Sequence, residues 1–360
     1  MTDDQYLREL QVPIQRILAA ETDNLAQLAA LVGLNLAEDF AESDLRDTNL
    51  SAANLVEGNF RGTNFRGANL EGANLRGADL RGADLIGTNL KRADLRSANL
   101  RGAELRIAHL QGSQLDSANL SDANLSGADL SYANLSFADL RGANLSLGNL
   151  YRTNLRDTKL RAANLGSTDL RGANLTGAYI VRAYLGGADL QGADICYANL
   201  TEADLHEAKL SNAKLIGSNL RGADLSLSDL SRANLIRATL SHANLIRASL
   251  QGADLIRTNL SGADLRGADL SLTDMSLANL YLANLGSANL IRANLSIAEL
   301  GGANLSGANL NDADLRGANV VNAEFASNQG ISEEMKLVLL RRGAIFDETI
   351  SDRSEALIKG

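Results

Sequence analysis

Apolar residues return along this chain at every fifth position. Between Ala68 and Leu85 it reads ANLEG ANLRG ADLRG ADL, each Leu preceded by Asn or Asp and, one place earlier, by a small residue. We call the Leu place central. From Phe40 to Phe325 it falls at every residue number divisible by five, 58 times, and no insertion or deletion breaks the phase. It departs from Leu only at Phe40, Phe60, Phe65, Ile180, Ile195, Met275, Val320 and Phe325, all apolar. Two places before it, every residue from Ser43 to Ala323 is Ala, Ser, Thr or Gly. A period of five fits neither a helix nor a strand. Fixed self-similarity of this kind marks a repeat whose unit cannot bury its apolar face alone. If each pentad forms one side of a coil, the central residue and the small one point inward and the other three places face out. Coils stacked at ~4.8 Å would bury each Leu against the next, at ~1.5 to 3 kcal/mol apiece, so that stability comes from nearest neighbours.

The pattern A(D/N)LXX resembles that of the pentapeptide repeat family, over 290 of the 360 residues. The period sets the length of a side; the number of sides comes from the resemblance, which implies four. The expected fold is therefore an all-β solenoid, a right-handed quadrilateral β-helix of about 14 coils with short helical caps at both ends, ~70 Å long at the stacking distance above. This divides the chain into a helical N-terminal cap (1–37), the repeat β-helix (38–327), and a C-terminal helical cap and tail (328–360).

At the N-terminus, Tyr6, Leu10, Ile14, Ile17 and Leu18 suggest an apolar helical stripe, interrupted or restarted at Pro13. Thr22 or Asp23 is placed to cap a second helix carrying Leu25, Leu28, Leu31 and Val32 on one side, with Gly33 past its end. Such a segment would cover the first coil, whose backbone is otherwise unpaired, or pair with a partner. At the other end Ser332 is placed to cap a helix with Glu333 and Glu334 in its first turn and Arg341 and Arg342 in its last. Gly343 would stop it, Met335, Val338 and Leu339 would face the final coil, and Ile345 and Phe346 would run extended. Within the repeats, Gly62, Gly67, Gly72, Gly77, Gly82 and Gly87 occupy the second place after the centre, as a type II corner favours. Leu227, Arg232, Arg237, His242 and Arg247 hold that place later, which predicts a different corner there. Asn or Asp before the centre can bond the backbone of its own corner. Phe40, Phe60 and Phe65 near the start and Phe325 near the end would widen the closing coils.

Composition fits a core built of Leu: aromatics are 4% and Trp is absent. Cys196 is the one cysteine, so no intramolecular disulfide forms. It follows Ile195 at an outward place, which predicts a free surface thiol or an inert small residue. MTDDQYLREL lacks a basic region followed by an apolar run, and no run of 18 apolar residues exists to span a membrane; a cytoplasmic protein without a membrane partner is expected.

Catalysis has little support. Asp79, Asp84 and Asp94 fill a place the repeat demands, and His109, His206 and His242 are scattered. No catalytic, cofactor-binding or metal site, and no cofactor, is expected. The resemblance brings in DNA mimicry, since quinolone-resistance members of the family resemble B-DNA in width and charge and bind DNA gyrase. Duplex DNA carries one charge per ~1.7 Å, roughly 40 over the expected length. Residues 38–325 hold 32 Asp and Glu against 27 Lys and Arg, and Arg61, Arg81, Arg101, Arg141 and Arg161 recur at intervals of 20. Direct nucleic-acid binding would need a basic face with stacking aromatics, which the mixed charge does not provide. A non-enzymatic scaffold or adaptor that binds other proteins fits best. Ile216, Ile236 and Ile256 stand 20 apart just after the centre, Arg237, Arg257, Leu277 and Ile297 lie one place further round, and Tyr197 lies below them. This candidate seam suggests a contact surface for an unidentified protein partner, or for a homodimer formed through it or through a cap.

Overall fold

Four pentads close one coil. The computed structural model describes residues 16, 19, 20, 22–33 and 40–346; Tyr6, Leu10, Pro13, Ile14, Ile17, Leu18 and everything beyond Phe346 lie outside them. The chain divides into two compact units, residues 1–164 and 165–360. Within each, the residue before a centre bridges in parallel to the residue 20 places on, as Asp44 does to Asn64 and Asp169 to Asp189. The Leu70 N–H donates forward to the Asn89 carbonyl at 2.7 Å, and the Asn89 N–H donates back to the Ala68 carbonyl at 2.9 Å. Within a unit, an inner side is thereby tied to the coil above and the coil below.

The inward places are those read from the period. Leu70, Leu75, Ala73 and Ala78 are wholly buried. At most of the small places that Thr or Ser takes, its hydroxyl donates to a central carbonyl, as Thr88 does to Phe65 and Ser113 to Leu110, both at 2.7 Å. A polar atom therefore enters the core without being left unsatisfied.

At each corner the N–H two places before the next centre closes a turn on the last central carbonyl, as Ala73 does on Leu70 at 3.0 Å. Gly72 has φ +66°, so the turn is type II. Asn69 Oδ1 accepts the Glu71 N–H at 3.2 Å, which fixes the first corner residue. The expected change of corner between residues 227 and 247 does not occur. Leu227, Arg232, Arg237, His242 and Arg247 have φ of 59°, 56°, 57°, 58° and 55°, the same left-handed region. The ladder decides: each of these N–H groups must reach a carbonyl of the next coil, as Arg237 reaches Ile256 at 3.0 Å. A different corner would forfeit that bond, so local strain of about 1–2 kcal/mol is tolerated instead.

Beside the first coil, α1 (Leu25–Val32) is capped by Asn24, whose Oδ1 accepts the Gln27 N–H at 3.2 Å; neither Thr22 nor Asp23 takes that place. Asn24 also bridges Asn49, and Leu25 N–H donates to the Asn49 carbonyl at 2.8 Å, so cap and ladder share a residue. Ala29 is buried, while Leu31 is exposed. Residues 25, 28, 29 and 32 share a helical face and 31 does not, which corrects the expected stripe. In the second unit, β1 (Glu324–Phe325) ends the repeats and α2 (Glu333–Arg341) follows. Ser332 caps α2 by accepting the Met335 N–H, and Glu333, Glu334 and Arg341 match the helix dipole. Leu339 is its buried residue. Gly343, at φ +87°, turns the chain into β2 (Ile345–Phe346), which pairs in parallel with β1. Phe346 stacks on Phe325 at 5.1 Å, and at the other end of the repeats Phe60 and Phe65 meet at 5.5 Å.

Candidate protein-interaction seam

The ladder of the second unit puts the seam residues on one corner. Tyr197 N–H donates to the Ile216 carbonyl at 2.9 Å, Gly217 to Ile236 at 3.0 Å and Arg237 to Ile256 at 3.0 Å. Arg257 and Leu277 continue the column through Ser276 and Ser296, at 3.1 Å each, and Ile297 donates to Arg316 at 2.9 Å. Ile216, Ile236 and Ile256 are therefore successive rungs at the first place of the corner. Tyr197, Arg237, Arg257, Leu277 and Ile297 stack at the second, all with positive φ.

Exposure separates the two columns. The three isoleucines are half-buried, because a first-place side chain lies along the ladder against its neighbours above and below. The exposed apolar surface belongs to Tyr197 at 69%, Ile297 at 62% and Leu277 at 42%. The Tyr197 ring lies over Gly217, where an added Cβ would stand 2.9 Å from ring carbons. A glycine above the tyrosine is thus what lets the ring fold along the corner. Elsewhere in this unit, large apolar second-place residues occur singly, Leu227, Leu272 and Leu282 on one corner each. Three on one corner is the departure, and it coincides with the isoleucine column.

Cys196 lies in the same column below Ile216 and is half-buried. Burial first, then its bond to Asp194, pushes the thiol up to about 11. The second of the two sequence readings, an inert small residue, is the one its surroundings favour.

Charge near the corners is organised in pairs. Where Asp precedes the centre and Arg follows it, the guanidinium folds back on the carboxylate through Nε and Nη2, as in Arg96 with Asp94 and Arg266 with Asp264. The hydrogen bond from Arg266 holds the Asp264 carboxyl below the usual range, and Arg96 does the same for Asp94. Two arginines of the basic column, Arg81 and Arg141, are neutralised in this way by Asp79 and Asp139. His206 Nδ1 meets Asp204 Oδ1 at 2.7 Å, and that bond raises its pKa. Sequence reasoning saw Asp at a place the repeat demands and a column of Arg at intervals of 20, but not that such pairs close within one pentad. Spacing of Asp-Leu-Arg across a type II corner is the signal that finds it.

The family model for pentapeptide repeats matches the chain in 8 copies, from residue 43 to residue 326. Among solved structures, the chain is 36% identical to HetL, a pentapeptide repeat protein involved in heterocyst differentiation regulation in the cyanobacterium Nostoc. That match covers 58% of this chain and 86% of HetL, with a TM-score of 0.30. It is 30% identical to a pentapeptide repeat protein of the Arabidopsis thaliana thylakoid lumen, over 36% of this chain and 80% of that one, at a TM-score of 0.23. QnrB1, a plasmid-mediated fluoroquinolone resistance protein, shares 16% identity over 54% of this chain and 93% of its own, at 0.38. No curated protein matches the chain.

Proposed function

Since the chain belongs to the pentapeptide repeat family, whose members fold as right-handed quadrilateral β-helices and are generally non-enzymatic scaffolds, we propose that it is a protein-binding scaffold acting through the seam of its second unit. The observation that carries this reading is the gathering of Tyr197, Leu277 and Ile297 on one corner, beside Ile216, Ile236 and Ile256. Arg237 and Arg257 interrupt the apolar column with two cations, so the fitting partner surface is apolar with acidic residues at matching height. A second copy of the chain is the other occupant. We assign α1 and α2 the role of caps, supported by the bonds from Leu25 to the Asn49 carbonyl and from Asn322 to the Gly343 carbonyl. No helix among the described residues is long and apolar enough to cross a membrane, and a cytoplasmic protein is the setting in which we place this role.

Duplex-DNA mimicry is disfavoured by the carboxylates bound within their own pentads, as in Asp264 with Arg266. A phosphate-like surface needs carboxylates that face outward uncompensated. The test is an affinity capture with wild type and Ile236→Glu, read by mass spectrometry, with light scattering on both proteins. Ile236 is half-buried at an outward place, so the variant should keep its melting curve. The proposal expects a partner, or a dimer, lost in the variant. Identical captured proteins and identical mass for both would sink it, and gyrase held equally by both would favour mimicry.

A further inference from the structure

Only two of the final coil's four sides have a strand above them. Leu310 N–H donates to the Gln329 carbonyl at 2.9 Å, Asn322 N–H to the Gly343 carbonyl at 2.7 Å, and β2 lies along β1. Residues 313–317 and 318–322 both lack a strand over them, and of these two sides 313–317 is the one that borders open space. One coil earlier, Leu295 N–H donates to Asp314 at 2.8 Å, Ile297 N–H donates to Arg316 at 2.9 Å, and the Ala293 carbonyl accepts from Asp314 N–H at 2.9 Å. The equivalent Leu315 N–H, Gly317 N–H and Ala313 carbonyl find no hydrogen-bond partner among the described residues.

Helix α2 stands off from this side and borders an open groove of about 580 Å³, lined by Leu315, Met335, Val338 and Leu339 with Arg316 and Glu334 among its polar residues, within the roughly 300–1,000 Å³ of concave ligand sites. Central leucines inside the stack are wholly buried, whereas Leu315 is 4% exposed. Arg342 closes only the far corner. It donates to the Leu315 carbonyl at 3.3 Å and to the Ala318 carbonyl, the acceptor that a further coil would use, as Ala298 is used by Asn319 N–H.

We propose that this side is a docking edge for an extended segment of a partner protein carrying the pattern Ala-Asn-Leu. The occupied sides define the occupant. It runs parallel to residues 313–317, accepts from Leu315 and Gly317, donates to Ala313, sets its small residue over Ala313 and its Leu over Leu315. Strand addition of this kind takes affinity from the main chain and specificity from the side-chain pockets. The middle residue is Asn because it stacks on Asp314. Lower in the same column, Asn294 Nδ2 donates to Asp274 Oδ1 at 3.0 Å, a bond that a carboxylate in its place could not make. The edge and the seam are independent, and either can fail alone.

The probe is a fluorescein-labelled peptide copying residues 68–77, ANLEGANLRG, titrated against the full chain by fluorescence anisotropy. Saturable binding is expected. N-methylation of both Asn residues of the peptide should weaken it at least tenfold, and the ADLEGADLRG peptide should bind several-fold more weakly. Val338→Arg, at a helix position 44% exposed, should also cost at least tenfold with an unchanged melting curve, while Ile236→Glu binds as wild type. The proposal is overturned by absence of saturable binding, or by N-methylated peptide and Val338→Arg behaving as the parents do. Binding seen only after residues 347–360 are removed overturns a partner as occupant and gives the edge to the chain's own C-terminus.

Discussion

Leu235→Ala tests whether the stack, and not the single residue, sets the energetics. Leu235 is wholly buried between the coils that carry Leu215 and Leu255. The substitution removes three carbons, about 2.4 kcal/mol at ~0.8 kcal/mol each. A cavity term adds to this unless the surroundings relax. They cannot relax here, because Leu215 N–H holds the Asn234 carbonyl and Leu235 N–H the Asp254 carbonyl, both at 2.7 Å. Coil spacing is pinned on both sides, so the loss should reach about 4–5 kcal/mol, the upper end for buried Leu→Ala. Leu315→Ala is the control. It has a coil on one side only and borders an open groove, so little beyond the transfer term is expected, about 2–3 kcal/mol. Urea unfolding followed by far-ultraviolet circular dichroism measures both, and because neighbouring repeats couple, the loss is read from the transition that each variant shifts. Equal losses at the two sites would refute the argument that rigid stacking enforces the cavity, as would a loss below about 1.5 kcal/mol at Leu235.

Two further outcomes follow from the corners. His206 should titrate above the ordinary ~6.5 in a histidine NMR titration, and Asp204→Asn should return it toward that value; an unchanged midpoint would remove the assigned bond. Because the folded pKa is raised, its small contribution to stability is complete below ~6.5 and is lost as pH rises through the folded value. Cys196, with its thiol pushed up to about 11 from 9.0, should hold about a hundredfold less thiolate at neutral pH than an unperturbed cysteine. It should react slowly with a disulfide reagent in the native protein and rapidly in urea, and equal rates in the two would contradict its half-buried place.

How much of this was legible in the chain depends on which partner decides each residue. The inward places were legible because the constraint on them is steric and identical at every rung: Leu70 and Ala73 read the same as Leu290 and Ala293. The corner at Arg237 was misread because propensity argues from the residue alone, whereas its φ of 57° is imposed by a carbonyl 19 residues away. The cap at Asn24 was missed for a related reason: only Thr22 and Asp23 were read as a helix start, whereas Asn24 holds its place as a rung on Asn49. For the seam, the spacing of 20 placed Ile216, Ile236 and Ile256 in one column but could not say which place of the corner faces solvent. That depends on the direction of each side chain along the ladder, so the exposed surface passed to Tyr197, Leu277 and Ile297. The open side at residues 313–317 was invisible, because periodicity describes what repeats and an edge exists only where repetition stops. What a solenoid hides from its sequence is therefore concentrated at its ends and in its outward places, and those are the parts left free to bind.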